Sequence, residues 1–424
     1  MIITADQIVV GGGPAGIAAV RILLAAKQRV IWIDNQARPG GQIWRGGPAR
    51  HGSALGRSWA QSLDRLLADP QLTHLPGHAV VAAERPQQLL LHDSQGGASL
   101  RVGGAQLLLA LGARERFLPF PGWTLPGITG AGGLQALVKG GWPIKGQRVV
   151  LAGSGPLLLA SADTLRSAGA DVACVAEQAS FKALSAFAAG LPSAKLMQAL
   201  GLRWRLKGMA YRTGCWPVRA LGTADERQVR AVVLTDGQRE WEQPCDALGL
   251  GFGLLPNTEL AELLGCRIDD GAIAVDKRLQ TSLPQVFAAG ECTGIAGVDK
   301  ALLEGELAAH AMLGDDLAPF AKPHARALAF GRLLARHFAL RPELLKLADA
   351  KTLICRCEDV ALVDLKAWPD WREAKLQTRC GMGACQGRIC GPITHDVLGW
   401  PMAAGRGLRE PLQPAPMHCF LKEE

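Results

Sequence analysis

Two glycine-rich turns, each set between an apolar strand and a helix, constrain this chain more than any other feature. Ile8-Val9-Val10 runs into Gly11-Gly12-Gly13-Pro14-Ala15-Gly16, and Leu151-Ala152 runs into Gly153-Ser154-Gly155-Pro156. In such a turn the first glycine permits the sharp bend and the second lets the backbone approach a pyrophosphate. The third lets the helix pack close to the strand. The helix that follows offers free N–H groups and a partial positive charge to phosphates. A carboxylate closes the next strand in each unit, Asp34 and Glu177, placed to accept ribose hydroxyls and to repel a 2′-phosphate. Two such units predict an α/β, doubly wound architecture with one dinucleotide-binding domain inserted in another.

Composition narrows the class. A chain of 424 residues, 48% hydrophobic and 20% charged, has ample material for cores, and its length suggests two to four domains. The net charge of +8 is mild for this length, and no basic run is interleaved with aromatics. Nucleic acid is therefore not an expected partner. No basic and apolar leader precedes the first strand, and no long uncharged apolar run is present, so neither a secretory signal nor a transmembrane segment is expected. The expected location is the cytoplasm, either free or peripheral at the inner face of the membrane. Of 11 cysteines, five fall between Cys355 and Cys390, a clustering that reads as metal ligation rather than a disulfide framework.

Further motifs specify the first site. Asp34 and Asn35 are followed by Pro39-Gly40-Gly41-Gln42; Leu109-Ala110-Leu111-Gly112 occupies a crossover position, and Val286-Phe287-Ala288-Ala289-Gly290-Glu291 ends a late strand. Together these resemble the two-dinucleotide-domain flavoproteins of pyridine-nucleotide-disulfide-reductase type, over about residues 5–315. The resemblance implies FAD at Gly11, Gly13, Pro14, Ala15, Gly16, Asp34, Asn35, Gly41, Gln42, Ala110, Gly112, Gly290 and Glu291. Leu111 and Glu291 depart from the residues common there, Thr and Asp. At the second motif Leu158 stands at the third glycine position. Gly153, Gly155 and Glu177 therefore mark an NAD site, a site for another adenine nucleotide, or a retained scaffold. No Cys occurs before Cys174 and no C-x-x-C occurs in these domains, which sets disulfide-reductase chemistry aside. Cys292 reads as a satisfied small residue. Arg114, Glu115 and Arg116 are read either as lining a cofactor edge, facing a partner or forming surface salt bridges.

Cys355-Arg356-Cys357 is C-x-C and Cys385 to Cys390 is C-x4-C. Four thiolates on two short loops can hold a [2Fe–2S] cluster, two per iron, with Arg356, Arg379 and Arg388 offsetting the charge. The rival is structural zinc, whose loops usually use C-x2-C. Cys380 is the spare thiol. The segment resembles the bacterioferritin-associated-ferredoxin type of [2Fe–2S] domain. The domain expectation is FAD-binding over 1–117 and 246–315, NAD(P)-binding-like over 118–245, a helical linker over 316–347 and the [2Fe–2S] domain over 348–424.

Taken whole, the chain resembles the alpha subunit of bacterial amine dehydrogenases, the group of opine oxidase, D-hydroxyproline dehydrogenase and hydrogen cyanide synthase. That resemblance implies an electron-transferring FAD and [2Fe–2S] subunit. Its partner would be a flavin-bearing, amine-oxidase-like beta subunit that oxidises an amino or imino acid. A small gamma subunit, FMN at a subunit interface and a respiratory electron acceptor belong to the same expectation. The expected docking surface is Pro119–Gly141 with Phe120, Trp123 and the adjacent Trp142, or the cysteine segment with Trp368 and Trp371. The alternative is a stand-alone NAD(P)H-dependent flavin and iron–sulfur reductase. No catalytic acid–base pair is evident, and the nine His show no paired spacing.

Overall fold

The computed structural model describes residues 2–45, 54–94, 96–401 and 408–421. The chain forms two compact units, residues 1–114, 255–331 and 407–424 in one and residues 115–254 and 332–406 in the other.

In the first unit the strand Ile2–Val10 lies between Val30–Asp34 and Ser99–Leu109, all parallel. Leu72–Pro76 extends one side. Val286–Ala288 pairs with Ser99–Leu109, and the antiparallel strands Gln88–Asp93 and His78–Arg85 complete the sheet. Val30–Asp34 is buried throughout, as expected of a strand covered on both faces. The helices Pro14–Ala25 and Val298–Leu313 cover the sheet with small and aliphatic residues, among them Ala15, Ile17, Val20, Ala308 and Ala309. The C-terminal segment returns here: Leu412 N donates to Val81 O at 2.8 Å and Ala83 N donates to Glu410 Oε1 at 2.8 Å.

The second unit has a parallel sheet in the order Ala210–Thr213, Asp171–Glu177, Arg148–Gly153, Ala247–Gly251, Ile128–Gly130. A three-stranded antiparallel meander covers Trp216–Gly222, Val229–Thr235 and Glu240–Pro244. The boundary expected at residue 246 is corrected, because the buried strand Ala247–Gly251 pairs within this sheet, between Arg148–Gly153 and Ile128–Gly130; the chain crosses back at 255. The expected linker and C-terminal domain are also redrawn. The helix Ala318–His337 runs through the linker. The cysteine segment shares one core with the second sheet: Leu118, Phe120, Trp123, Val232 and Leu234 pack with Ile354, Val360, Leu365, Trp371, Ile393 and Trp400.

That shared core takes in three of the aromatics that sequence left as either docking anchors or core. Phe120, Trp123 and Trp371 are buried, Trp368 is half-buried and Trp142 is 56% exposed. Trp123 Nε1 donates to Leu353 O at 2.7 Å, two residues before Cys355, and Arg356 stacks 5.3 Å over its ring. Trp123→Ala is expected to cost about 3–5 kcal/mol by cavity formation, in addition to leaving the Leu353 carbonyl without its donor. Chemical denaturation of the two proteins measures the difference; a loss under about 1 kcal/mol would show that this core does not bind the cysteine segment to the sheet.

Candidate functional site

The first glycine turn closes tightly. Gly11 has φ +113°, and a side chain there would run into the Ala110 carbonyl. The other expected residues gather around it. Gly40 N donates to Gly12 O at 2.7 Å, bringing Gly41 within reach of Gly13, and Ala110 N donates to Val10 O at 2.8 Å. Gly112 takes a positive φ, and Gly290 packs against Ala15. Pro14, Ala15 and Gly16 form the first turn of the helix. Asn35 and Gln42 are exposed and engaged by Gln36 and Arg45. Glu291 accepts from Gly297 N at 3.1 Å, and burial raises its pKa.

Two observations test this cradle for a dinucleotide. Asp34 is 5% exposed, its Oδ1 accepts from Gln36 N at 3.1 Å, and its Oδ2 is buried with no hydrogen-bond partner. A buried oxygen of this kind needs a donor, which a ribose hydroxyl would supply. At Gly13 an added Cβ would meet only Gly41 Cα, at 4.0 Å, so a bare backbone faces open space at the helix N-terminus. The residues fit FAD.

Burial pushes Asp34 up to about 6, against the pull of the Gln36 N–H that it accepts and of the nearby Gly12 and Asn35 N–H dipoles, neither of which completes a well-formed hydrogen bond to Oδ2. A raised carboxyl contributes stability that is complete below its ordinary value of 3.8 and is lost as pH rises through about 6. Ribose hydroxyls prefer the carboxylate, so FAD affinity is expected to fall by up to about tenfold per pH unit as pH drops below 6. Asp34→Asn should bind more weakly and flatten the profile. Flavin fluorescence titrations from pH 5 to 8 check this, and a wild-type profile as flat as the variant's would exclude the role.

Sequence reasoning missed the support behind Gly290. Lys300 and Glu304 are 1% and 2% exposed and pair at 2.8 Å. Lys300 Nζ also donates to Gly290 O at 2.7 Å, Thr293 Oγ1 at 2.6 Å and Gly294 O at 3.0 Å, while Glu304 accepts from Gly290 N at 2.9 Å. His324 Nε2 lies 2.8 Å from the other Glu304 oxygen. A lysine and a glutamate at i and i+4 on a helix look like an ordinary surface pair in sequence; only the fold buries them. Cys292, as expected, is a buried small residue, its thiol directed at Ala289 O and Leu109 O.

The Arg114–Arg116 segment is structural. Arg114 Nη1 donates to Asn257 Oδ1 at 2.9 Å and pairs with Glu259 at 2.8 Å. Glu115 accepts from Gly132 N and Gly133 N at 2.7 and 2.8 Å, capping the helix Ala131–Lys139. Arg116 pairs with the buried carboxylate of Asp396.

The five clustered cysteines converge. Cys355 ends the strand Leu353–Cys355, and Cys390 opens the helix Cys390–Leu398. Cys355, Cys357, Cys385 and Cys390 line a cavity of about 250 Å³ together with Phe117, Arg356 and Ile389. Cys380, fully buried, is not among the lining residues, yet its sulfur lies within 4.8 Å of those of Cys355 and Cys390. The thiol set aside in sequence is thus part of the same sulfur group. Hydrogen bonds from Cys380 and Cys390 pull Cys355 down to about 2, and one from Cys390 pulls Cys385 down to about 5. Cys380 and Cys390 are held up by sharing protons with Cys355. Backbone N–H groups of Gly381 and Glu358 reach Cys355, and those of Ile389 and Gly387 reach Cys385, stabilising thiolates. Four cavity-lining sulfurs, with backbone N–H groups directed at Cys355 and Cys385, fit an iron–sulfur or zinc centre. Arg379 is engaged by Glu358 at 2.7 Å, whereas Arg356, stacked over Trp123, keeps its charge at the cavity wall.

The second glycine turn also joins a strand to a helix but with a different backbone: Gly155 takes φ +102° where Gly13 is extended at φ −76°. Gly153 and Gly155 have positive φ, and Leu158 fills the space against Gly251. Its carboxylate differs from Asp34 in having both oxygens engaged: Glu177 Oε2 accepts from Gly155 N at 2.7 Å and Oε1 from Ala179 N at 2.9 Å.

Known proteins share this plan. The pyridine nucleotide-disulphide oxidoreductase family profile matches residues 5–312. One of the opine oxidase subunits of Rhizobium meliloti is 35% identical, with 96% of each chain covered. The HcnB subunit of hydrogen cyanide synthase from Pseudomonas aeruginosa is 32% identical, with 97% of each covered. Among solved structures, L-proline dehydrogenase from P. horikoshii matches with a TM-score of 0.67 at 18% identity, covering 99% of this chain and 80% of that one. That likeness concerns the fold. No helix among the described residues is long and apolar enough to cross a membrane.

Proposed function

The chain belongs to the pyridine nucleotide-disulphide oxidoreductase family of flavin enzymes, and from that premise we propose that it is the electron-transferring subunit of a multi-subunit dehydrogenase for an amino or imino acid. The substrate would be of D-hydroxyproline, opine or glycine type. A partner subunit with its own flavin would carry out the oxidation, and this chain would pass the electrons to a respiratory acceptor. The observation that carries the reading is the cavity walled by Cys355, Cys357, Cys385 and Cys390 in a flavin-enzyme chain. The similarity along nearly the whole length to proteins named as subunits supports it.

When bound, FAD takes two electrons and a [2Fe–2S] cluster carries one, so a chain holding both is suited to conduction. Gly11, Gly13, Gly16, Asp34 and the Gly290 loop would hold FAD, with Lys300 and Glu304 fixing that loop. Cys355, Cys357, Cys385 and Cys390 would hold the cluster in a pocket closed by Phe117 and Ile389. Amine oxidation needs a base within hydrogen-bond reach of the proton it removes. The buried carboxylates here have other duties: Asp34 at the FAD ribose, Glu177 on Gly155 and Ala179, Glu304 on Lys300. The isolated chain, replete with flavin and iron, should therefore not oxidise proline-like imino acids, glycine, sarcosine or opines with a dye acceptor. Co-expression with the flavin-bearing partner should restore turnover. Robust turnover by the single chain would overturn the division of labour.

A further inference from the structure

We propose that the second glycine turn takes the chain's own segment Phe338–Arg341 in place of a dinucleotide, and that Phe338 thereby excludes NAD(P)H as an electron donor. This rests on the reading above, in which electrons enter from a partner subunit.

The helix Ala318–His337 ends beside this turn. The last carbonyls of a helix lack partners within it and carry partial negative charge. Here the carbonyls of Phe338 and Ala339, which follow the helix, are met by side chains that flank the turn. Ser154 Oγ donates to Phe338 O at 3.1 Å, and Gln178 Nε2 donates to Ala339 O at 2.9 Å. Gln178 Nε2 also reaches Ser154 Oγ at 2.9 Å, joining the two contacts. The return strand of the contact is equally complete: Arg341 N donates to Gln178 Oε1 at 3.2 Å and Arg341 Nε to Gln178 O at 2.8 Å. The Arg341 guanidinium then lies 4.9 Å over the Trp216 ring. Ser154 and Gln178 are both buried.

Sterics give the same answer. At Gly155, the position whose bare backbone would admit a pyrophosphate, an added Cβ would sit 3.8 Å from the Phe338 ring. That ring is itself fixed edge-on against Phe187, with centroids 4.9 Å apart. A phenyl ring covers the bare backbone and gives a phosphate no donor. The two sites of this chain serve as mutual controls. Asp34 keeps a buried oxygen without a partner, as a ribose-binding carboxylate should, whereas both Glu177 oxygens are taken by backbone N–H groups. The backbone at Gly155, at φ +102° against −76° at Gly13, departs from that of the first turn, and the chain's own Phe338 and Ala339 carbonyls stand where a diffusible anion would bind.

The test uses full-length, FAD-replete protein and ADP-ribose, which offers the adenine, the pyrophosphate and both riboses but no hydride. Calorimetry should find a wild-type Kd weaker than about 1 mM. Phe338→Ala should tighten binding at least tenfold with FAD content unchanged. Should that variant not fold, wild-type hydrogen exchange decides: the Arg341 amide should be protected, and ADP-ribose at about 10 mM should leave that protection unchanged. A wild-type Kd below about 1 mM, no gain in folded Phe338→Ala, or release of the Arg341 amide by ADP-ribose would each overturn the proposal. Because ADP-ribose cannot reduce flavin, its binding reports on this turn alone; failure of the partner-subunit reading would appear separately, as amine turnover by the single chain.

Discussion

Gly13→Val should give a folded protein that has lost its FAD. The position tolerates a side chain in the fold itself: Gly13 has φ −76° and ψ −176°, an extended conformation that valine favours. An added Cβ finds only Gly41 Cα, at 4.0 Å. The space it enters is the space a pyrophosphate needs at the helix N-terminus. Valine there would both displace the phosphates and shield the N–H groups that bind them. FAD affinity is expected to drop by at least about 100-fold, or about 2.7 kcal/mol, with little change in the melting temperature of the flavin-free protein. Gly11→Ala is the contrasting control, since its φ of +113° and the Ala110 carbonyl forbid a side chain; it should damage the fold as well as the site. Flavin absorbance per chain and thermal unfolding of FAD-stripped protein measure the two effects. A Gly13→Val protein that keeps full FAD would move the flavin away from the first motif.

The first site was readable because its requirements are local. A strand, a glycine turn, a helix and a carboxylate are consecutive in sequence, and Gly41, Ala110, Gly112 and Gly290 each lie at the end of an apolar strand or in a turn that follows one. The C-x-C and C-x4-C loops were readable for the same reason. What escaped depends on long-range packing. Ala247–Gly251 is equally apolar whichever sheet it joins, so only its pairing with Arg148–Gly153 places the boundary. Trp123 and Trp371 read in sequence either as interface anchors or as ordinary core, because an aromatic residue is ambiguous until its neighbours are known; both are core. Lys300 and Glu304 carried no sign of burial. Phe338 sits far along the chain from Gly155, and nothing in its neighbourhood marks it as the residue that would cover that turn.

Replacement of the clustered cysteines, one at a time, should divide them into four and one. Cys355→Ser, Cys357→Ser, Cys385→Ser and Cys390→Ser should each lose iron and the reduced-state paramagnetic resonance signal, whereas Cys380→Ser should keep both. The four line the cavity, and the loop that carries two of them is shaped for the purpose: Gln386 and Gly387 both take a left-handed φ, and the chain that follows presents the Gly387 and Ile389 N–H groups to Cys385. Cys380 is the exacting case, because its sulfur belongs to the same close group as Cys355 and Cys390. Its full burial and its absence from the cavity wall place it behind the ligands, where the neighbouring Cys355 sulfur and burial hold its thiol in the protonated direction. A metal that took Cys355 as a thiolate would leave Cys380 a neutral buried thiol, which is how an unligated cysteine is best accommodated. Loss of the signal in Cys380→Ser with retention in Cys385→Ser would reverse the assignment and shift one ligand by five residues. Stoichiometric zinc in the wild-type protein, with no iron and no paramagnetic signal on reduction, would instead make the site structural and remove the one-electron carrier on which the proposed function depends.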